Sequence, residues 1–448
     1  MKRNLFAGVA VAAIIAGPAF SDEHLVFTPG EGDQFTWSSY EEFAANAPDL
    51  TGQTVTIAGP WLGAEKDTVE TVFAYFTAAT GATVEYAGSD SFEQQIRIDA
   101  QAGSAPNLAV FPQPGLLGDM ARDGLVAPLT AEDGAWIAEN YAAGQSWVDL
   151  ATFDEELYGI FYRADLKSLV WYLPENFEDA GYEVPTSMEE LKELTDQIVA
   201  DGGTPWCIGL GSGGATGWPA TDWVEDMMLR TAEPSVYDQW VANEIPFNDP
   251  AVITAIEEFG YFARNDDYVA GGAGAVATTD FRDSPKGLFS FPPECYMHRQ
   301  ASFIPAFFPE GTEVGLDADF FYFPSYADRD LGTPVLGAGT VFGITSDSPA
   351  TRVMIDFIKT PIAHEIWMAQ GGLLTAHAGV NTDAYINDST RAQGQILLNA
   401  TTFRFDASDL MPGGIGAGAF WTGMVDYAGG ADATDVATSI QETWDALK

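Results

Sequence analysis

Residues 54–58 (TVTIA) alternate polar and apolar side chains, the two-residue period of a half-buried strand. Residues 66–79 then carry apolar positions at 69, 72, 73 and 76, one face of a helix, and Gly81 stops it. The alternation repeats with a strand over 83–87, a helix over 91–102, a strand over 108–111 and a short helix over 115–122. Strands alternating with helices predict a mostly parallel, doubly wound α/β sheet. Ligands of such sheets sit beyond the carboxyl ends of the strands, which directs attention to the turns at 61–65, 88–91 and 112–114.

The segment 157–172, LYGIFYRADLKSLVWY, breaks this rhythm. Two strand-like apolar runs, 158–162 and 169–173, flank polar Arg163, Asp165, Lys167 and Ser168. That pattern suits a chain leaving one sheet and entering another. Beyond it the pattern predicts a Pro/Glu-rich loop over 174–185, a helix over 187–200, a strand over 206–210 and a glycine-rich turn over 211–219. Helices follow over 221–230 and 248–262, then a Gly/Ala-rich mobile or surface segment over 269–279. Residues 335–344 read as a second crossing, 351–368 as a helix, 371–380 as a third crossing, and 392–448 as a return to the second lobe. Residues 22–49 read as a loose lead-in.

Length and charge narrow the class. A chain of 448 residues exceeds one core, so two lobes are expected. Lys2 and Arg3 precede an apolar run of 16 residues ending at Ala19-Phe20-Ser21, the pattern of a cleaved secretory signal and too short for a membrane span. The mature chain is expected to start near Asp22, free in a periplasm, with no cysteine near the cleavage site for a lipid anchor. The formal charge of −46 becomes −48 once Lys2 and Arg3 are removed, and such a surface repels nucleic acid and anionic lipid. Cys207 and Cys295 are the only cysteines; an oxidising compartment favours their pairing, worth about 4–5 kcal/mol in the chain-entropy model.

Enzyme and metal motifs are missing. Gly209-x-Gly211-x-x-Gly214 matches a dinucleotide pattern, but Asp222 is too near to serve as the ribose acid, so a tight glycine turn near Trp218 is the better reading. No HExxH, GxSxG or GxxxxGK[ST] occurs, and His24, His298, His364 and His377 are too scattered for a metal cluster. Tryptophans carry the positive signal. Trp61, Trp218, Trp223 and Trp421 sit in or beside Gly/Pro turns, where an indole stacks on the C–H face of a pyranose while amides and carboxylates bond its hydroxyls. Arg404, Asp406 and Asp409 lie within six residues in the segment 402–421; Arg404 either forks sugar hydroxyls or pairs with Asp406.

The turn Leu157-Tyr158-Gly159-Ile160-Phe161-Tyr162 with its following strand, the segment 102–129 (AGSAPNLAVF through GLVAPL), GGATGWPATDW at 213–223 and the 402–421 segment together resemble the sugar-binding components of ABC importers, family-one type, and within them the alpha-glucoside-binding receptors. The resemblance implies a type II periplasmic-binding-protein fold of two α/β lobes joined by a multi-strand hinge. It divides the chain into lobe 1 at 22–161 and 325–378 and lobe 2 at 162–324 and 379–448. It implies ligand contacts from Glu65, Gln113, Tyr162, Asp165, Gly339 and Thr340, with Asp90 and Lys167 as further candidates beside the aromatic and C-terminal residues named above. No cofactor is implied. The expected activity is capture of a neutral sugar, an alpha-glucoside or related disaccharide, by a monomer that delivers it to membrane permease subunits. The alternatives are a receptor for a polyol or other compatible solute, and a secreted glycosidase using two carboxylates such as Glu65 and Asp409.

Overall fold

The computed structural model describes residues 25–142, 144–399 and 401–447. The expected leader, 1–21, lies outside them. Among the described residues nine strands build the two main sheets: β1 (Thr54–Gly59), β2 (Thr83–Gly88), β3 (Leu108–Phe111), β4 (Gly159–Leu166), β5 (Leu169–Tyr172), β6 (His298–Arg299), β7 (Asp319–Tyr322), β8 (Pro334–Ile344) and β9 (Thr402–Phe405). A two-stranded hairpin, Thr152–Phe153 with Glu156–Leu157, stands apart.

The larger sheet runs β9–β8–β3–β1–β2, with β4 on the other edge of β8. β1 pairs in parallel with β2 and β3, as the alternating pattern predicts. The sheet becomes mixed at the hinge, where β8 runs antiparallel to both β3 and β4. All eleven residues of β8 and all eight of β4 are buried. β8 trades partners along its length: Pro334–Gly337 pairs with β9, and Val341–Ile344 with β3. It therefore ties two bodies together. The apolar core of the first body spans Phe35 to Tyr162 and returns at Ala338 to Ala384; that of the second spans Val170 to Leu336 and Ala407 to Trp444. We refer to these as lobe 1 and lobe 2. The smaller sheet, β6–β5–β7, belongs to lobe 2. The segment over 371–380 makes the third connection, bridging Ala164 through Leu374 and Tyr141 through His377.

Four local expectations need correction. The lead-in holds a helix, Trp37–Asn46, because buried Trp37 and Tyr40 pack on Tyr75. Within the expected loop over 174–185, Pro174 opens the helix Pro174–Ala180, a first-turn position where a missing N–H costs nothing. The expected helix over 351–368 is two, Pro349–Ile358 and Pro361–Met368, since Pro361 cannot continue the first ladder. The expected strand over 206–210 makes bridges only, from Trp206 to Val269 and Met297. The segment over 269–279 lies largely at the surface, in line with one of its two readings, but is anchored: Val269 and Val276 are buried, and Gly211 N donates to Thr279 O at 2.9 Å. That close approach explains the glycines, because a Cβ on Gly209 or Gly211 would stand 2.7 or 3.0 Å from the Thr279 carbonyl oxygen. Cys207 and Cys295 are bonded, with their Cα atoms 5.5 Å apart.

Candidate functional site

The polar interruption of the crossing segment is one wall of an interlobe cavity. β4 runs unbroken through Arg163 and Asp165, and the pleat puts both on one face; Lys167 continues that face just beyond the strand. All three are buried, so each charge needs a local partner. Arg163 turns toward lobe 1. Its Nη1 donates to Glu65 Oε1 at 2.7 Å and its Nε to Asp165 at 3.2 Å. The guanidinium also lies over the rings of Phe303, Trp61 and Trp367, at 5.3, 5.7 and 5.7 Å. Lys167 turns toward lobe 2. Its Nζ donates to Asp222 Oδ1 at 2.7 Å and to Asp406, and it sits 5.6 Å from the Trp218 ring.

The elements that hold these partners explain their positions. Glu65 lies in the first turn of the helix Ala64–Thr80, where a carboxylate faces the positive end of the helix dipole. Trp61 in the preceding turn is pinned edge-on against Trp367 at 4.9 Å, and its backbone N donates to Tyr86 Oη. Trp218 and Asp222 are one turn apart on the helix Trp218–Thr231, so both face the cavity. Asp406 caps the short helix Ala407–Leu410, accepting from Ser408 Oγ and Asp409 N. Gly339 and Thr340, expected in a loop, lie within β8 where its register with β4 shifts, a bulge that re-aims side chains.

Eleven of the fourteen expected contact residues line this cavity: Trp61, Glu65, Asp90, Gln113, Asp165, Lys167, Trp218, Gly339, Thr340, Asp406 and Trp421. Three do not. Trp223 is 2% exposed and packs among Trp206, Phe259, Phe262 and Phe323 in the lobe 2 core. Tyr162 points to the opposite side of β4 from Arg163 and donates to Ala363 O at 2.6 Å within lobe 1. Arg404 lies on the surface, paired with Asp238 at 2.6 Å rather than with Asp406. Arg404 stays within β9, whereas Asp406 lies just past its end, where the chain turns into the helix Ala407–Leu410 and carries that carboxylate into the cavity. Sequence reasoning missed Arg163, Glu93, Asp222 and Arg282, which also line the cavity. The signal for Arg163 was present, in its alternation with Asp165 and Lys167 inside an otherwise apolar strand.

The two lobes meet at the rim. Arg282 of lobe 2 donates to Asp90 of lobe 1 at 2.5 Å, and Gln94 Nε2 donates to Gly214 O at 3.2 Å. Gly213 has φ +56, and a Cβ there would stand 2.6 Å from Asp90 Cβ. The cavity measures about 120 Å³. At 10–15 Å³ per water this is room for roughly ten waters.

Burial governs the protonation of the acids. It pushes Glu93 up to about 7, against the hydrogen bond from Gln113 Nε2 at 3.3 Å. Asp222 is pushed up to about 8 by burial, in spite of Lys167. Burial also raises Glu65, Glu225 and Asp409. Asp406 is the exception: burial opposes its charge, but Lys167 and a hydrogen bond from Glu225 hold it below the usual carboxylate range. Oxygens of Asp222, Glu225 and Asp406 lie within 4.8 Å of one another. The Lys167 ammonium already bonds two of these three acids.

Seven buried polar atoms on lining residues have no hydrogen-bond partner within the protein: Trp61 Nε1, Gln113 Oε1, Asp165 Oδ1, Asp222 Oδ2, Arg282 Nε, Thr340 Oγ1 and Trp421 Nε1. They come from both lobes and the hinge.

Comparison with known proteins follows the same lines. Residues 61–286 match the protein family described as bacterial extracellular solute-binding protein. The chain is 61% identical, over the full length of both, to the alpha-glucosides-binding periplasmic protein AglE of Rhizobium meliloti (strain 1021). It is 44% identical to the osmoprotective compounds-binding protein GgtB of Synechocystis sp. (strain ATCC 27184 / PCC 6803 / Kazusa), over 88% of this chain and 93% of that one. Among solved structures, the bacterial solute receptor AcbH superposes with a TM-score of 0.75 at 20% identity, covering 90% of this chain and 99% of that one. Maltose-bound MalE3 of T. maritima superposes with a TM-score of 0.70 at 15% identity, covering 89% and 100%. At such identities these structures speak for the two-lobed α/β fold alone.

Proposed function

Because this chain belongs to the family of bacterial extracellular solute-binding proteins, we propose that it is the periplasmic receptor of an ABC importer for a neutral sugar, an alpha-glucoside or related disaccharide. It is a binding protein and not an enzyme; Glu65, one of the two acids a glycosidase reading would use, is held by Arg163. The observation that carries the proposal is the set of seven unpartnered polar atoms on the cavity wall, beside the indoles of Trp61, Trp218 and Trp421. Hydroxyls of a sugar are partners such atoms lack, and buried donors left unmade are costly. The pairing of the cavity's cations supports a neutral rather than an anionic ligand. Arg163 is balanced by Glu65 and Asp165, Lys167 by Asp222 and Asp406, and Arg282 by Asp90 and Asp280. An anionic solute finds no spare cation among these lining residues.

The mechanism is lobe closure. A ligand gripped from both lobes stabilises the closed arrangement over an open one, and the membrane permease reads closure. The receptor acts as a monomer, exported by a cleaved leader. A second reading, a polyol or other compatible solute, is favoured by the relative that binds osmoprotective compounds. Calorimetric titration with alpha-glucosides, polyols and amino acids separates the two. Saturable binding of an alpha-glucoside, weakened by Trp218→Ala, supports the first reading; saturation by polyols alone supports the second.

A further inference from the structure

The charges on the interlobe cavity do not balance. Seven carboxylates and three cations line it. Five of the carboxylates sit in ion pairs: Glu65 and Asp165 with Arg163, Asp222 and Asp406 with Lys167, and Asp90 with Arg282. Glu93 and Asp409 are the two left over, without an ion pair among the described residues, and they are 8% and 6% exposed. They face one space from opposite lobes. Glu93 stands in the first turn of the helix Phe92–Ala102 of lobe 1, and Asp409 on the helix Ala407–Leu410 of lobe 2. Gln113 Nε2 gives Glu93 one hydrogen bond, and the Oε1 of the same amide has no partner. The surroundings are mostly acidic. Asp90 acts on Glu93 from the preceding turn; Asp406, Asp222 and Glu93 act on Asp409, with Lys167 opposing them. Glu225, beneath Asp409, accepts from Ser408 N. The remaining charges on the elements packed around the two helices are already paired, Arg97 with Asp123, Asp119 with Arg122 and Arg404 with Asp238. An ionised carboxylate buried without a cation is costly, so both acids are held neutral, in keeping with the upward push that burial gives each of them.

We propose that Glu93 and Asp409 are ligand contacts that act as neutral carboxylic acids, one from each lobe, each donating a hydrogen bond to a sugar oxygen, so that capture of the ligand draws protons from solution. This deepens the proposed function and rests on it. A sugar presents hydroxyl and ring oxygens that accept; an ionised carboxylate can only accept, whereas a protonated one also donates. When the lobes part, water reaches both acids and they ionise in the ordinary carboxylate range; closure removes that water and returns the protons. The closed-state values exceed the open-state ones. The gain in affinity is therefore fully present below the ordinary carboxylate range and is lost as pH rises through the closed-state values. A cationic solute would behave in the opposite sense, binding the ionised acids and tightening as pH rises.

The test is calorimetric titration of the full mature chain with maltose, trehalose and sucrose, in buffers of different ionisation enthalpy between about pH 5 and about pH 8. For the sugar that binds most tightly, the dependence of heat on buffer should report uptake of about one to two protons per ligand at mildly acidic pH, and Kd should rise at least tenfold, to about pH 8 from about pH 5. Glu93→Gln and Asp409→Asn should each lower the uptake by up to about one proton and flatten the profile. At the acid end, Glu93→Ala should weaken binding about tenfold and Glu93→Gln threefold or less, because the amide keeps a donor in the same place. Saturable binding with heat independent of buffer overturns the inference and leaves the sugar-receptor reading standing. Uptake undiminished in both variants, or affinity that rises with pH, overturns it as well. Binding of none of the three sugars overturns the receptor reading and this inference with it.

Discussion

Two buried cations on one crossing segment serve the two lobes differently. Arg163 sits in a balanced nest with two carboxylates and three aromatic faces. Lys167, four residues on, is one ammonium beside Asp222 and Asp406, with Asp409 and Glu225 close enough to raise its affinity for a proton. A planar guanidinium with five donors satisfies fixed partners, whereas a compact ammonium offsets a crowd of acids and leaves some of them protonated. The lobe 1 wall is therefore set mainly by packing and hydrogen-bond geometry, and the lobe 2 wall by a shared pool of protons.

The largest effects should come from removing either cation. Lys167→Met leaves Asp222 and Asp406 buried without their partner and should cost about 3–5 kcal/mol of stability at neutral pH. Acidification should restore part of the loss, because Asp406, held below the usual carboxylate range in part by Lys167, takes up a proton more readily once that cation is gone. Arg163→Met should cost a similar amount but recover less, because three aromatic faces lose their cation as well. Urea denaturation of both variants at neutral and acidic pH checks this; equal recovery would erase the distinction between the two walls.

Next in size is the contrast between two tryptophans five residues apart. Trp223→Ala should cost about 3–5 kcal/mol through a cavity in the lobe 2 core. Trp218→Ala should cost less stability and instead weaken sugar binding by about tenfold, a loss near 1.4 kcal/mol. Thermal melts beside calorimetric titration tell them apart.

Glu93 gives a smaller, pH-dependent effect. Its folded-state value, raised to about 7, exceeds its ordinary 4.5, so its contribution to stability is fully present below 4.5 and is lost as pH rises through about 7. Glu93→Gln should remove that slope, making the melting temperature flatter than that of the unaltered protein between these limits. An unchanged slope would mean that Glu93 is ionised throughout.

The smallest effect is expected at Arg404. Its pair with Asp238 is partly exposed on the surface of lobe 2, so Arg404→Ala should cost about 0–1 kcal/mol and leave sugar affinity unchanged. A clear affinity loss would bring that segment back to the site.

Much of this protein follows from the sequence alone. Periodicity located β1, β2 and β3 and the helices between them, because local alternation and helical spacing report which face of each element is buried. The polar interruption at Arg163, Asp165 and Lys167 marked the crossing, because charges survive inside an apolar segment only when partners await them. Eleven cavity residues were legible for the same reason or through likeness to other receptors. What only the tertiary structure decided is which side of an element faces the other lobe. Trp218 and Trp223 share a helix and a composition, yet one lines the cavity and the other fills a core; Arg404 and Asp406 are two residues apart, yet one meets solvent and the other Lys167. Sequence spacing fixes relative directions within one element. The absolute direction depends on how that element is rotated against partners hundreds of residues away, and only packing of the whole chain sets that rotation.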